Sequence, residues 1–505
     1  MPPQAWDAGG EPLVVLSNRL PYNFPRPGVE GRPKRNVGGL VNALEPVLAR
    51  RGGMWVGWDG VTLGSQRAVE QVASEPRTIL TESGVRLLGV PLGDRELRRY
   101  YHGFCNRTLW PLFHGLVDTT YFRPEYFTSY VEVNRRFTEM ALAHTGARDR
   151  IWLHDYHLLL VPRMLREKGF TGRIDFFLHT PFPPAEIFRA IPWRNQLLNG
   201  LLAADTVVFH VEPYRDNFVD LSTELIGAVP SPADETGRIV IHHELGGTVV
   251  AASPIGIDVD EFEKVSRKPE VREEARKIRQ THNGRSILFG ADRLDYTKGI
   301  LERFRAVERL ISTKPETAGS FNMVQVVVPS RHEVREYREL KEKLDREVGR
   351  INGEHARAGW IPLHYEFRAL SRDELVAKYL AASAALVTPL KDGMNLVAPE
   401  FVASRTDEQG VLVLSEFAGV SRILGQALVV NPYDLDGCAT AIGEALKMSP
   451  GEQSARMVKM RERVRANTVS DWADRCMSLE TLIGDERVAF RRAAAVRELS
   501  KDVHP

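Results

Sequence analysis

Short, uninterrupted apolar runs recur along the chain with helix-patterned stretches between them, and this alternation restricts the fold more than any other feature. PLVVLS (12–17), IWLHDY (151–156), IDFFLHT (174–180) and TVVFHV (206–211) form a first series. SILFGAD (286–292), MVQVVVPS (323–330), AALVTPL (384–390), GVLVLSE (410–416) and ALVVNP (427–432) form a second. Runs that are apolar throughout belong to strands covered on both faces, as in a parallel sheet. The intervening segments carry helix signals: in LSRDELVAKYLAAS, Ser371 and Glu374 make a capping box, and Leu375, Tyr379 and Ala382 follow at helical spacing. Strand and helix in repeated alternation predict an α/β, doubly wound fold.

The two series are separated by the turn-rich PIGIDVDEF (254–262) and the charged EVREEARKIRQ, expected to be a solvated helix. The division is therefore placed at 255/256, with residues 1–255 as a first domain, 256–475 as a second, and 476–505 as a helical tail packing back on the first. A chain of 505 residues, 43% hydrophobic, has the material for two such cores facing a cleft. Its 67 Lys and Arg almost cancel 66 Asp and Glu, which argues against nucleic acid or a membrane surface as a partner. Cys105, Cys438 and Cys476 are odd in number and widely spaced, which fits a reducing cytoplasm and no cysteine zinc site. The start has no basic-then-apolar signal, and no window approaches the roughly 18 apolar residues of a spanning helix.

Ligands of doubly wound sheets bind beyond the carboxyl ends of strands, so the polar residues just after each run are the informative ones. Arg19 follows the first run, and the Gly38–Gly39 pair after it opens an expected helix. An arginine with helix-start amides suits a phosphate, although Arg19 taken alone reads more readily as a surface ion pair. Trp58, Tyr101 and Trp110 belong to an aromatic set that suits a pyranose face or a packed core. Asp155 and His179 stand at two further strand ends as hydrogen-bonding groups for hydroxyls, and the lone HxxH of His154 and His157 lacks a third ligand for zinc. Arg293 and Lys298 are two cations in the loop after the first strand of the second series, where they match a diphosphate leaving group. In DGMNLVAPE, Asp392 and Glu400 bracket a turn and a helix expected to start near Met394 or Asn395, with amides around Asn395 to Val397 facing phosphate. Pro399 is tolerated there only in a first turn that needs no N–H.

SNRLP, GGL, WVGW, the YY-to-LWP block, HDYHL, FFLHTPFP, RLDYTKGI, VPSR, DGMNLVA and LSEFAG occur in that order between about residues 12 and 475. In this the chain resembles the trehalose-6-phosphate synthase family. The resemblance implies two Rossmann-like domains of the glycosyltransferase B fold and a metal-free, cofactor-free enzyme. It implies transfer of glucose, with retention, from a nucleotide-diphosphate glucose, UDP-glucose first among them, to glucose 6-phosphate. It assigns Arg19, Trp58, Tyr101, Trp110, Asp155 and Arg331 to the acceptor. To the donor it assigns Gly39, His179, Arg293, Lys298, Asp392, Gly393, Met394, Asn395, Leu396, Val397 and Glu400. Asp155, His179, Arg293, Lys298 and Asp392 carry the chemistry in this scheme, and a homodimer or homotetramer is compatible with it.

Four positions depart from the family pattern: Asp59 and Cys105 for serine, Thr180 for isoleucine, and Pro399 for lysine. The first three keep glucosylglycerol-phosphate synthase open as an alternative. A non-catalytic sugar-phosphate sensor is the alternative of another class, and a sensor has no need of Arg293, Lys298 and Asp392, all of which are present. YDLDGC (433–438) resembles the start of a haloacid-dehalogenase phosphatase, but with 67 residues after Cys438 it is better explained as a helix start capped by Asp434 or Asp436.

Overall fold

The computed structural model describes residues 13–25, 32–35, 44–45, 47–50, 53–146, 149–331 and 333–479. By its internal contacts the chain forms two compact units, Met1–Ser253 with Trp472–Pro505, and Pro254–Asp471. These divisions fall near, but not at, the 255/256 and 475/476 positions read from the sequence.

The first unit is built on a ten-stranded sheet. From edge to edge it runs Val229–Pro230, Ile239–His243, Gly246–Ala252, Thr206–Phe209, Arg173–Phe177, Arg150–His154, Leu13–Arg19, Gly53–Leu63, Arg86–Gly93 and Thr78–Leu80. The strands from Gly246–Ala252 to Arg86–Gly93 pair in parallel, and antiparallel strands close both edges. All four runs of the first series are strands of this sheet. Gly53–Leu63 and Arg86–Gly93 escaped notice because WVGWDGV and RLLGVPLG mix glycine and polar residues into the run. Trp152 is fully buried against Trp472, with ring centroids 5.2 Å apart. Arg150 bonds both Asp175 (2.6 Å) and the carbonyl of Met477 (3.0 Å), which fastens the returning C-terminal segment to the sheet.

The second unit carries a six-stranded, wholly parallel sheet in the order Leu363–Phe367, Phe321–Val328, Ser286–Arg293, Ala384–Val387, Val411–Ser415, Leu428–Val430. Every run of the second series is a strand here. The additional edge strand, LHYEF, was hidden by its polar residues. Helices Ile300–Thr313 and Leu435–Lys447 pack on this sheet through one cluster that includes Phe304, Val307, Leu310, Ile442 and Ala445. Asp434 caps the second of these helices by accepting from the Gly437 amide, so YDLDGC is a helix start. Ser371 and Glu374 form the expected capping box of Arg372–Ala381, and EVREEARKIRQ lies within helix Pro269–Thr281. The three cysteines are buried and form no disulfide among the described residues. Among the described residues no helix is long and apolar enough to cross a membrane. The tail beyond Leu479 and the Gly38–Gly39 pair, Gly39 included, lie outside the described residues.

Candidate active site

Both units present their predicted side chains at the carboxyl ends of parallel strands, each forming a cluster of its own.

In the first unit Arg19 is the last residue of Leu13–Arg19. Its guanidinium donates to Asn23 (2.8 Å) and lies over the Trp58 ring at 5.2 Å. Trp58 is anchored by its indole N–H to the Val61 carbonyl (2.8 Å) and faces Tyr101, with centroids 6.4 Å apart. Tyr101 in turn stacks on His157 at 6.0 Å. Cation, indole, phenol and imidazole thus line up side by side. Tyr101 owes its place to a thirteen-residue π-helix, Leu97–Leu109. Such wide turns are uncommon and concentrate at functional positions. Trp110, directly after this helix, packs instead on Tyr156 and His114. Asp59 is drawn away into structure: its carboxylate binds Arg77 (2.8 Å) and the Val61 amide (2.9 Å). Cys105 is fully buried.

Asp155 follows strand Arg150–His154 with φ of 75°, a left-handed conformation that is costly for a residue with a Cβ. Its amide donates to the Phe177 carbonyl (2.8 Å), and its carboxylate accepts from the His179 amide (3.3 Å). Burial, then the neighbouring His154 and His210, holds His179 well below the usual imidazole range, so its ring is neutral near pH 7.

In the second unit Arg293 ends strand Ser286–Arg293, and Lys298 sits in the turn that follows. Gly299 stands at the next position with φ of 63°, and a Cβ there would meet the Thr388 carbonyl at 2.3 Å. The buried Arg303 braces the turn by bonding Thr388 (3.1 Å) and the Lys298 carbonyl (3.3 Å). Lys298 donates to Asp392 at 2.6 Å, and both side chains are mostly buried. Asn395 donates to the same carboxylate oxygen (3.0 Å). The Asp392 backbone is fixed by its amide on Phe417 (3.1 Å) and its carbonyl under Gly419 (3.3 Å).

The helix expected from Met394 or Asn395 starts later, at Val397, and runs to Ser404. The reason is Asn395, whose φ of 70° cannot continue into a right-handed turn. Pro399 is the third helical residue, within the turn whose amides have no helical acceptor. The amides of Asn395, Leu396 and Val397 have no acceptor among the described residues. Met394 is buried, and its carbonyl accepts from the Val420 amide (3.0 Å). Glu400, whose amide bonds the Leu396 carbonyl (3.0 Å), accepts from the Tyr379 hydroxyl (3.2 Å), and burial pushes its carboxyl up to about 7. Arg331 also has positive φ (49°), and its guanidinium is held by Tyr337 (2.5 Å) and Asp295 (3.6 Å). Three of the five positive-φ residues other than glycine among the described residues, Asp155, Arg331 and Asn395, are therefore candidate site residues.

Sequence reasoning missed Tyr379, taken only for a helix-face residue, and Gly419, whose hypothetical Cβ would lie 2.2 Å from the Gly393 carbonyl oxygen. Gly393 and Gly419 must therefore approach backbone to backbone. The glycine of LSEFAG was the available signal. Among the described residues, Glu308, Glu354 and His355 have ligand atoms within 4.8 Å of one another. Arg350 bonds both glutamates, so that cluster is charge-paired on helix surfaces and belongs to neither site.

The glycosyltransferase family 20 pattern matches residues 11–480. A trehalose-6-phosphate synthase of Mycolicibacterium smegmatis is 43% identical over 471 residues, covering 92% of this chain and 92% of that one. A solved α,α-trehalose-phosphate synthase (UDP-forming) from Burkholderia xenovorans, in complex with glucose-6-phosphate, is 35% identical with a TM-score of 0.84. The match covers 93% of this chain and 99% of that one. An E. coli trehalose-6-phosphate structure bound with UDP-2-fluoro glucose is 33% identical with a TM-score of 0.84, covering 93% and 98%.

Proposed function

The chain belongs to glycosyltransferase family 20, with the two Rossmann-like units of the glycosyltransferase B fold, and we propose that it transfers glucose from UDP-glucose to glucose 6-phosphate, giving α,α-trehalose 6-phosphate with retention. The observation that carries this reading is the Lys298–Asp392 pair at 2.6 Å beside three amides that have no acceptor among the described residues. A cation, a carboxylate and a row of donors at strand ends suit a sugar joined to a diphosphate.

As the bond between the glucose anomeric carbon and the diphosphate breaks, negative charge grows on the departing β-phosphate. Lys298, Arg293 and the Asn395-to-Val397 amides stabilise that charge, and because they are already oriented they do so at little reorganisation cost. Asp392 accepts from glucose hydroxyls and keeps Lys298 in place. Glu400 accepts from ribose hydroxyls. On the acceptor side Arg19 and Arg331 take the phosphate, Trp58 and Tyr101 offer faces to the sugar, and Asp155 bonds hydroxyls, while His179 bonds hydroxyls of the donor glucose. The acceptor hydroxyl attacks from the face the diphosphate leaves, and its proton passes to the departing phosphate oxygen. Configuration is thereby kept without the paired carboxylates of a retaining glycosidase. The donor is a substrate, and no metal or resident cofactor enters the scheme. Three buried cysteines that form no disulfide among the described residues suit a reducing, cytoplasmic setting.

The test is the purified protein with UDP-, GDP- and ADP-glucose against glucose 6-phosphate and glycerol 3-phosphate, monitoring nucleotide release. Turnover with glucose 6-phosphate is expected. Turnover with glycerol 3-phosphate alone would select the glucosylglycerol-phosphate alternative, and none with either would leave a sensor.

A further inference from the structure

Three consecutive parallel strands of the first unit end in histidine: His154 closes Arg150–His154, His179 lies two residues past Arg173–Phe177, and His210 follows Thr206–Phe209. In parallel register such positions fall side by side, and the rings are indeed in contact. His154 stacks on His179 with centroids 5.3 Å apart and planes at 27°, and His179 meets His210 edge-on at 5.5 Å. The floor is apolar, with Trp152 4.5 Å from His154 and Phe177 4.6 Å from His179.

One hydrogen bond joins the first two rings, His154 Nδ1 to His179 Nε2 at 3.1 Å. Both imidazoles are held neutral by burial, His154 down to about 3. A single proton therefore sits between them, and there are two ways to place it. If His179 donates from Nε2, His154 must carry its own proton on Nε2. That nitrogen is buried and has no partner among the described residues. If His154 donates from Nδ1, its Nε2 carries only a lone pair. A buried N–H without an acceptor loses a strong hydrogen bond to water, and such orphans are rarer than under-used acceptors. The Trp472 indole N–H is likewise buried without a partner among the described residues, and its ring is 6.3 Å from His154 between centroids. A lone pair at His154 Nε2 complements that donor, whereas a second N–H would oppose it.

We propose that His154 is a positioning residue that fixes the ring orientation and tautomer of His179, so that His179 meets its ligand only as an Nδ1–H donor. The tautomer assignment stands on the ring geometry and burial, and its kinetic consequence rests on the transferase reading. A His179 whose Nε2 lone pair is occupied and whose Nδ1 is protonated cannot serve as a general base. It is left to orient and polarise a sugar or phosphate oxygen.

Neutron diffraction from the substrate-free wild-type protein tests the assignment without reference to activity. It should place hydrogen on His154 Nδ1 and His179 Nδ1, and hydrogen on His179 Nε2 would overturn the proposal whatever the protein catalyses. Two variants test the consequence. Asn places an amide N–H where imidazole Nδ1 was, so His154→Asn should keep kcat within about threefold. His154→Leu has no donor and should lower kcat about tenfold, the size of one net hydrogen bond, with smaller change in KM. Equal kcat for the Asn and Leu variants, with both folded by circular dichroism, would show that His154 only fills space and would sink the positioning role. An inactive wild type would count against the transferase reading while leaving the neutron result to decide the tautomer.

Discussion

Replacing Lys298 by methionine separates chemistry from stability, because the same atoms serve both. Lys298 Nζ lies 2.6 Å from Asp392, and their side chains are 12% and 14% exposed. Methionine keeps the stem and removes the charge, stranding the Asp392 carboxylate. Breaking one side of a fully buried pair costs about 3–5 kcal/mol. Here the residual exposure and the surviving Asn395 bond at 3.0 Å reduce the expected cost to about 2 kcal/mol. Neutralising the partner as well, in Lys298→Met with Asp392→Asn, should recover most of that loss, since no unpaired charge remains. Activity should not recover. One preorganised donor to developing charge is worth about 10²–10³ in kcat, and the double variant has lost the cation for good. Urea denaturation of both variants gives the stability terms, and released UDP at saturating substrates gives kcat. A Lys298→Met enzyme with kcat within about threefold of wild type would refute the leaving-group role, and a double variant restored in activity as well as stability would show that the pair serves structure alone.

Three further outcomes follow from the second unit. Glu400 is held neutral up to about pH 7, whereas its ordinary value is 4.5, so the folded protein keeps a proton that the unfolded chain releases. That contribution to stability is complete below pH 4.5, declines as pH rises toward 7 and is gone above it. Glu400→Gln should therefore flatten the stability profile across that window and stabilise the protein at alkaline pH by about 3 kcal/mol. UDP-glucose, which does not titrate there, should bind more tightly as pH rises through 7 in wild type but not in Glu400→Gln, by calorimetric titration. Gly419→Ala drives a Cβ to 2.2 Å from the Gly393 carbonyl, so it should cost about 2 kcal/mol or more and weaken UDP-glucose binding at least tenfold. Chelation with EDTA should leave kcat unchanged, and a loss restored by added Mg²⁺ would contradict the metal-free scheme.

The strands were legible wherever burial on both faces kept polar residues out, as in LVVLS or VLVLS. They were hidden where a strand carries the site or lies at an edge. WVGWDGV holds Trp58 and the Asp59 turn, and LHYEF has one side uncovered. Site residues at strand ends were legible for the same topological reason: Arg19, Asp155, Arg293 and Asp392 all stand where a parallel strand stops. The late helix start was not, because Asn395 adopts positive φ while its side chain bonds Asp392 and the Ala398 amide, which a helical pattern does not report. Nor were Tyr379 and Gly419, each of which acts on a residue many positions away, Glu400 and Gly393. Asp59 was misleading in the opposite sense, since its departure from the family serine is absorbed by Arg77 and the Val61 amide.

The most direct test of retaining transfer to a sugar phosphate is the anomeric configuration of the product. With UDP-glucose and glucose 6-phosphate, proton NMR of the quenched reaction should show a non-reducing disaccharide phosphate with both anomeric protons α, formed in step with UDP. A β-linked or reducing product, or UDP released with free glucose and no disaccharide, would contradict the account.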